Sequence, residues 1–201
     1  KWDREKIKIM PKKRYEIMSK YMPKVGEHGL DMMKRTTTIQ ANFDFSSTKD
    51  MQIKMRVAQS LQPCIIALYA NSPFIDGKLT EYQSYRSYIW TKTDKDRTGL
   101  LKFIYNKDFC FEDYTNYLLD IPMYFIVRNN EYIDLTGLTF RDYMKDSSGK
   151  FQPNMDDWKN HITTVFPEVR LKSYIEVRGA DGGPWSRVCA LPAFWTGILY
   201  D

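Results

Sequence analysis

The chain has 201 residues, 43% of them hydrophobic, with 30 Lys plus Arg against 25 Asp plus Glu and a net charge of +5. This supports one sizeable core, or a large part of a bigger one, and a mild basic excess suits anionic ligands such as nucleotides and amino-acid carboxylates. No Lys/Arg block or recognition motif points to nucleic acid, no apolar run approaches the roughly 20 residues of a membrane helix, and Cys64, Cys110 and Cys189 are spaced too widely for a Cys-x-x-Cys or Cys/His zinc site.

In chain order, Pro11 opens a predicted helix over residues 12–22, which Pro23 is expected to close. Residues 36–46 read as a strand. A helix follows over residues 49–70, with Ser47, Thr48 and Asp50 as candidate caps. Met51, Met55, Ala58 and Gln62 recur along it at helical spacing, and Pro63 is expected to kink or break it. Residues 71–77 form a turn-rich exit. Short helices are expected at 111–119 and 139–145, a loop at 146–154 and a further helix at 155–165. A second strand is predicted over 170–178, and a last helix over 187–200, interrupted by Pro192. Few strands among several helices predict an α+β class, with helices packed on an antiparallel sheet.

Both predicted strands alternate. Ile39, Ala41, Phe43 and Phe45 share one face, and Gln40, Asn42 and Asp44 the other. In the second strand Leu171, Ser173, Ile175 and Val177 oppose Lys172, Tyr174, Glu176 and Arg178. A plain half-exposed strand alternates in the same way. The residue types add a chemical reading. Glu176 supplies a hard oxygen ligand for magnesium, with Gln40, Asn42 or Asp44 to supplement it, and Arg178 on the same face suits a phosphoryl or carboxylate group. The glycines of Gly179-Ala180-Asp181-Gly182-Gly183 would then let the backbone approach a ligand.

Residues 166–185 (FPEVRLKSYIEVRGADGGPW) and 189–201 (CALPAFWTGILYD) closely resemble the plant-type glutamate–cysteine ligases (γ-glutamylcysteine synthetases), which proteobacteria also carry. So do residues 10–36, 39–47 (IQANFDFSS), 61–74 (LQPCIIALYANSPF), 85–99 (YRSYIWTKTDKDRTG) and 120–128 (DIPMYFIVR). The resemblance implies a curved, mostly antiparallel sheet related to that of glutamine synthetase. It also implies a reaction: ATP phosphorylates the γ-carboxylate of L-glutamate, and the amine of L-cysteine attacks the γ-glutamyl phosphate. Mg2+ and arginines would offset the repulsion between the two anions, and no Ser, Cys or His nucleophile is required.

Carried over by resemblance, Arg14 and Arg86 match arginines that hold glutamate, and Tyr124 matches an aromatic residue near cysteine. Glu176 matches a metal-binding carboxylate, and Arg178 a phosphoryl-binding arginine. Gln40 and Asn42 match polar residues lining the nucleotide side, and Asp94, Asp96 and Arg97 an active-site loop. Surface ion pairing competes for the arginines, core packing for Tyr124 beside Met123 and Phe125, and a solvated charged turn for the Asp94–Arg97 loop. His161 is expected to make a structural hydrogen bond. A related ligase using another amine, or a non-catalytic module derived from the ligase, are the alternatives. No sequence feature fixes an oligomeric state.

With no initiator Met before Lys1 and no tail after Asp201, both ends read as cuts in a longer protein. The chain is therefore expected to be one partial catalytic domain, preceded by a segment with the remaining metal and ATP ligands and inactive without it. Cys189 matches a regulatory cysteine of the plant members, but the position of another is Leu135, and its partner is not found around residues 147–152. That absent pair removes the expectation of a plant-type redox switch and favours a bacterial cytoplasm over a plastid.

Overall fold

A computed structural model of the chain describes residues 3–146 and 151–200. In chain order the regular elements are α1 (Lys13–Val25), α2 (Gly29–Arg35), β1 (Ala41–Phe43), α3 (Thr48–Leu68), β2 (Phe74–Ile75), β3 (Lys78–Leu79), α4 (Tyr85–Thr91), β4 (Thr98–Gly99), α5 (Phe111–Asp120), β5 (Phe125–Arg128), β6 (Glu131–Asp134), α6 (Phe140–Lys145), α7 (Met155–Ile162), β7 (Phe166–Pro167), β8 (Val169–Leu171), β9 (Ile175–Val177) and α8 (Trp185–Leu199). The class is α+β, as expected. The largest sheet among the described residues has three antiparallel strands in the order β1-β9-β8; β2–β3 and β5–β6 are antiparallel pairs, and β4–β7 is a parallel one.

Helix α3 starts where Ser47 accepts a hydrogen bond from the Asp50 amide, and it buries Met51, Met55, Ala58, Gln62 and Ile65. It runs through Pro63 without the expected break. Burial of that face against β8 and β9 offsets the roughly 3 kcal/mol that an interior proline costs. Helix α8 likewise continues through Pro192, with Leu191, Trp195 and Leu199 buried against β1 and α3. Helix α1 extends past Pro23 to Val25. The main core lies between α3, α8 and the sheet, where Phe43, Val169, Leu171, Ile175 and Val177 meet Met55, Leu191 and Trp195.

The strands differ more from expectation. Of residues 36–46, only Ala41–Phe43 form a strand, because only these find ladder partners, on β9; Thr38 adds an isolated bridge to Asp181. Residues 170–178 are two strands folded into a hairpin. Leu171 pairs with Ile175, and the Lys172 amide donates to the Tyr174 carbonyl at 2.8 Å. The last turn of the helix predicted over 155–165 is replaced by a loop that leads Val165 into the core. The short α2 and α4 had no counterpart in the prediction, nor had the hairpins at Asp76-Gly77 and Asn129-Asn130, whose turn residues all have positive φ. Of the predicted loop at 146–154, residues 147–150 lie outside the described residues. Among the described residues, no helix is long and apolar enough to cross a membrane.

Candidate active site

The sheet register builds a polar face. Asn42 and Arg170 flank Glu176 from the two neighbouring strands, while the alternating positions Val169, Leu171, Ile175 and Val177 enter the core. Glu176 is buried, and its Oε2 receives Arg170 Nε at 2.7 Å and Arg178 Nη1 at 2.7 Å. Lys172 Nζ stands 3.5 Å from Oε1. Arg178 Nη1 also donates to Gln40 Oε1 at 3.1 Å. Burial works to raise the pKa of Glu176, but Arg170, Arg178 and Lys172 outweigh it and hold the carboxyl below its usual range. Burial and the Arg178 charge lower the pKa of Arg170, which nonetheless stays charged. Three cations thus surround one carboxylate. Burial pushes Glu168 toward its neutral form, against the pull of Arg86 and Arg178.

A magnesium ion asks for several hard oxygen ligands. Asp44, expected to supplement Glu176, lies beyond the end of β1 and is exposed, Glu176 is already matched by three cations, and among the described residues no group of three or more His, Cys, Asp or Glu side chains can hold a metal. The residues present do not fit the expected ion, and Glu176 acts here as an anchor for two arginines. The surplus positive charge suits an anion.

The glycine-rich loop after β9 is bound to the fold on both sides. A Cβ on Gly179 would lie 2.2 Å from Gln62 Oε1 and 2.9 Å from Glu168 Oε2, so the close approach expected for a ligand is made by protein side chains. Thr38 Oγ1 donates to the Ala180 carbonyl at 2.6 Å. Asp181 is buried and accepts from the Asn71 amide, Ser72 Oγ and Ser84 Oγ at 2.6–2.8 Å. Arg86, on α4, donates to the carbonyls of Arg178 (2.9 Å) and Gly179 (3.1 Å). The same Arg86 lines a cavity of about 680 Å³ whose walls also carry Lys34, Arg35, Asn71 and Ser72. Two of its five N–H groups serve the carbonyls, and its Nε has no hydrogen-bond partner among the described residues.

The remaining expected residues are placed as follows. Arg97 is fully buried and pairs with Asp94 at 2.7 Å; it also donates to the carbonyls of Pro122 (2.7 Å) and Thr164 (3.2 Å). Its guanidinium lies 3.9 Å from the Tyr124 ring centroid. It is a fully buried cation with Asp94 as its counter-ion, and Asp96 alone of the three loop residues is exposed. Tyr124 is core: it is 1% exposed, its hydroxyl donates to Met22 Sδ, and burial raises its pKa. Arg14 packs over Tyr15 and Phe125 and is not among the residues lining the Arg86 cavity. Asn42 is exposed on the polar face. His161 makes the structural hydrogen bond expected of it, Nε2 to the Leu118 carbonyl at 2.8 Å, and burial lowers its pKa to about 4. Sequence reading did not single out Arg170, Lys172, Glu168, Lys34 or Arg35.

Comparison with known proteins supplies the family. The chain is 60% identical to glutamate–cysteine ligase, chloroplastic, of Medicago truncatula, and 59% identical to that of Arabidopsis thaliana. It is 58% identical to glutamate–cysteine ligase B, chloroplastic, of Oryza sativa subsp. japonica. All of the chain is covered in each case, and it spans about 40% of the length of these relatives. Their names place them in chloroplasts, which overturns the expectation of a bacterial cytoplasmic setting. The family model described as glutamate-cysteine ligase family 2 (GCS2) matches residues 1–201, and the chain belongs to that family.

Proposed function

We propose that the polypeptide carrying this chain joins the γ-carboxylate of L-glutamate to the amine of L-cysteine with ATP as phosphoryl donor, the first step of glutathione synthesis. A γ-carboxylate oxygen attacks the γ-phosphorus of ATP and ADP leaves. The cysteine nitrogen then attacks the acyl carbon, phosphate leaves, and the amine gives up a proton. Catalysis of this kind is mainly positioning and charge stabilisation. The observation that carries the reading is Arg86, which faces the cavity while its N–H groups hold the backbone of Arg178 and Gly179. One arginine thereby ties a cavity with basic walls to the end of the strand that bears the cationic face.

In this reading Arg86 takes a glutamate carboxylate, and Arg178, Lys172 and Arg170 stabilise negative charge on the transferred phosphoryl group, with Gln40 and Asn42 beside them. Arg97 and Tyr124 act through packing. No step is assigned to magnesium, since these residues do not fit it. The plastid named for the relatives is the setting that accompanies the reading.

The test is Arg86→Lys in the full polypeptide, with γ-glutamylcysteine formation as the assay. Lysine keeps the charge and loses the planar fork. The glutamate KM should rise at least tenfold, on the order of 1.4 kcal/mol, with the ATP KM changed far less. An unchanged glutamate KM in a folded variant excludes the role.

A further inference from the structure

The cavity lined by Arg86 has a second arginine that nothing so far has assigned. Arg35, at the end of α2, forms part of its wall, as do Asp181 and Gly182 of the glycine-rich loop. Its Nη1 lies 3.4 Å from Asp31 Oδ1, which orients the guanidinium, and its Nη2 reaches Asp76 Oδ1 at 3.0 Å. Asp76 is the first turn residue of the β2–β3 hairpin, and it too lines the cavity.

The hairpin has little else to hold its tip. Each strand has two residues, and the cross-strand pair Phe74 and Leu79 is 63% and 70% exposed. Asp76 adopts φ 52°, a left-handed conformation that few non-glycine residues take, followed by Gly77 at φ 78°. The other cavity acid, Asp181, has its oxygens taken by Asn71, Ser72 and Ser84. Lys34 Nζ is turned to the Arg4 carbonyl. Asp76 is therefore a carboxylate delivered by a weakly anchored turn onto a cation of a basic cavity, where a ligand carboxylate would sit.

We propose that Arg35 is a carboxylate-binding residue of this cavity and that Asp76 is its intramolecular competitor. The ligand class is an amino-acid dicarboxylate: one carboxylate meets Arg86, and the other displaces Asp76 from Arg35. The hairpin tip is released as the ligand enters. This rests on the ligase reading, with L-glutamate as the dicarboxylate. The Arg35–Asp76 pair is partly exposed, with side chains 17% and 42% accessible, so it is weak enough to be displaced.

The test uses the full polypeptide and steady-state kinetics in L-glutamate. Asp76→Asn removes the charge and keeps the turn, because Asn-Gly is a favoured two-residue hairpin turn. It should lower the glutamate KM about three- to fivefold, and the gain should shrink at high salt. Arg35→Gln should raise the glutamate KM at least tenfold and leave the ATP KM within twofold. A glutamate KM in Asp76→Asn that is unchanged or raised overturns the proposal, since the first means no competition and the second means that Asp76 helps to hold the ligand. Should Arg35→Gln fail to fold, Asp76→Asn alone decides. Failure of the ligase reading itself would show differently, as no glutamate turnover by the unmodified enzyme.

Discussion

Arg97 offers the sharpest test of the structure, because a buried cation paired with Asp94 and a nucleotide ligand predict opposite outcomes at the same residue. Consider Arg97→Met in the full polypeptide. The substitution keeps most of the side-chain volume and removes the charge. It leaves Asp94, 3% exposed, without its partner at 2.7 Å, and frees the carbonyls of Pro122 and Thr164. Breaking a buried pair by removing one member costs about 3–5 kcal/mol, and the desolvated contact with the Tyr124 ring adds to the loss. At roughly 2–4 °C per kcal/mol for a unit of this size, the thermal midpoint should fall by about 10 °C. Removing the stranded acid as well, in Asp94→Asn with Arg97→Met, should recover part of the loss, which a double-mutant cycle measures. The ATP KM of whatever folds at low temperature should stay near that of the parent. A midpoint within about 1 °C of the parent, together with an ATP KM raised tenfold, would refute the argument and restore Arg97 to the nucleotide.

Glu176→Gln removes the anchor between Arg170 and Arg178. Because the folded pKa of Glu176 lies below its ordinary 4.5, its stabilisation is present above that value and is lost as the pH falls through the folded pKa. The variant should be less stable at neutral pH and should show a flatter acid limb in urea midpoints taken from pH 7 to pH 2; an acid limb like that of the parent contradicts the assignment. Gly179→Ala places a methyl group 2.2 Å from the amide oxygen of Gln62, which is fully buried, and should cost about 2 kcal/mol of stability in urea denaturation. A neutral effect would mean that Gln62 and Glu168 move aside freely.

What could be read from the sequence follows from how local each signal is. The caps and buried face of α3 are local and were legible, as were α5, α6 and the alternation of Gln40, Ala41, Asn42 and Phe43. The prolines misled because their cost is local while the packing of α3 and α8 that offsets it is not. Arg170 escaped notice because an unbroken strand over 170–178 places it away from Glu176, whereas the turn at Ser173 sets the two side by side. The motif Asp94–Arg97 looks like an open charged loop in one dimension. Only the tertiary fold puts Tyr124, Pro122 and Thr164 over it. Arg35 and Asp76 lie 41 positions apart, and neither type nor spacing links them.

The pairing of β1 with β9 also bears on the order in which the molecule assembles. β8 and β9 are joined by a turn of a few residues and can form within microseconds. β1 meets β9 across roughly 135 positions of chain, Ala41 against Val177, and pays the entropy of closing that loop. The contact of Gln40 with Arg178 therefore belongs to the last stage of folding, after α3 and the local hairpins exist. During refolding, helical signal should recover before any function that depends on the polar face. On a nascent chain β1 emerges well before β8 and β9, so its pairing edge waits unmatched until Ile175–Val177 have been made.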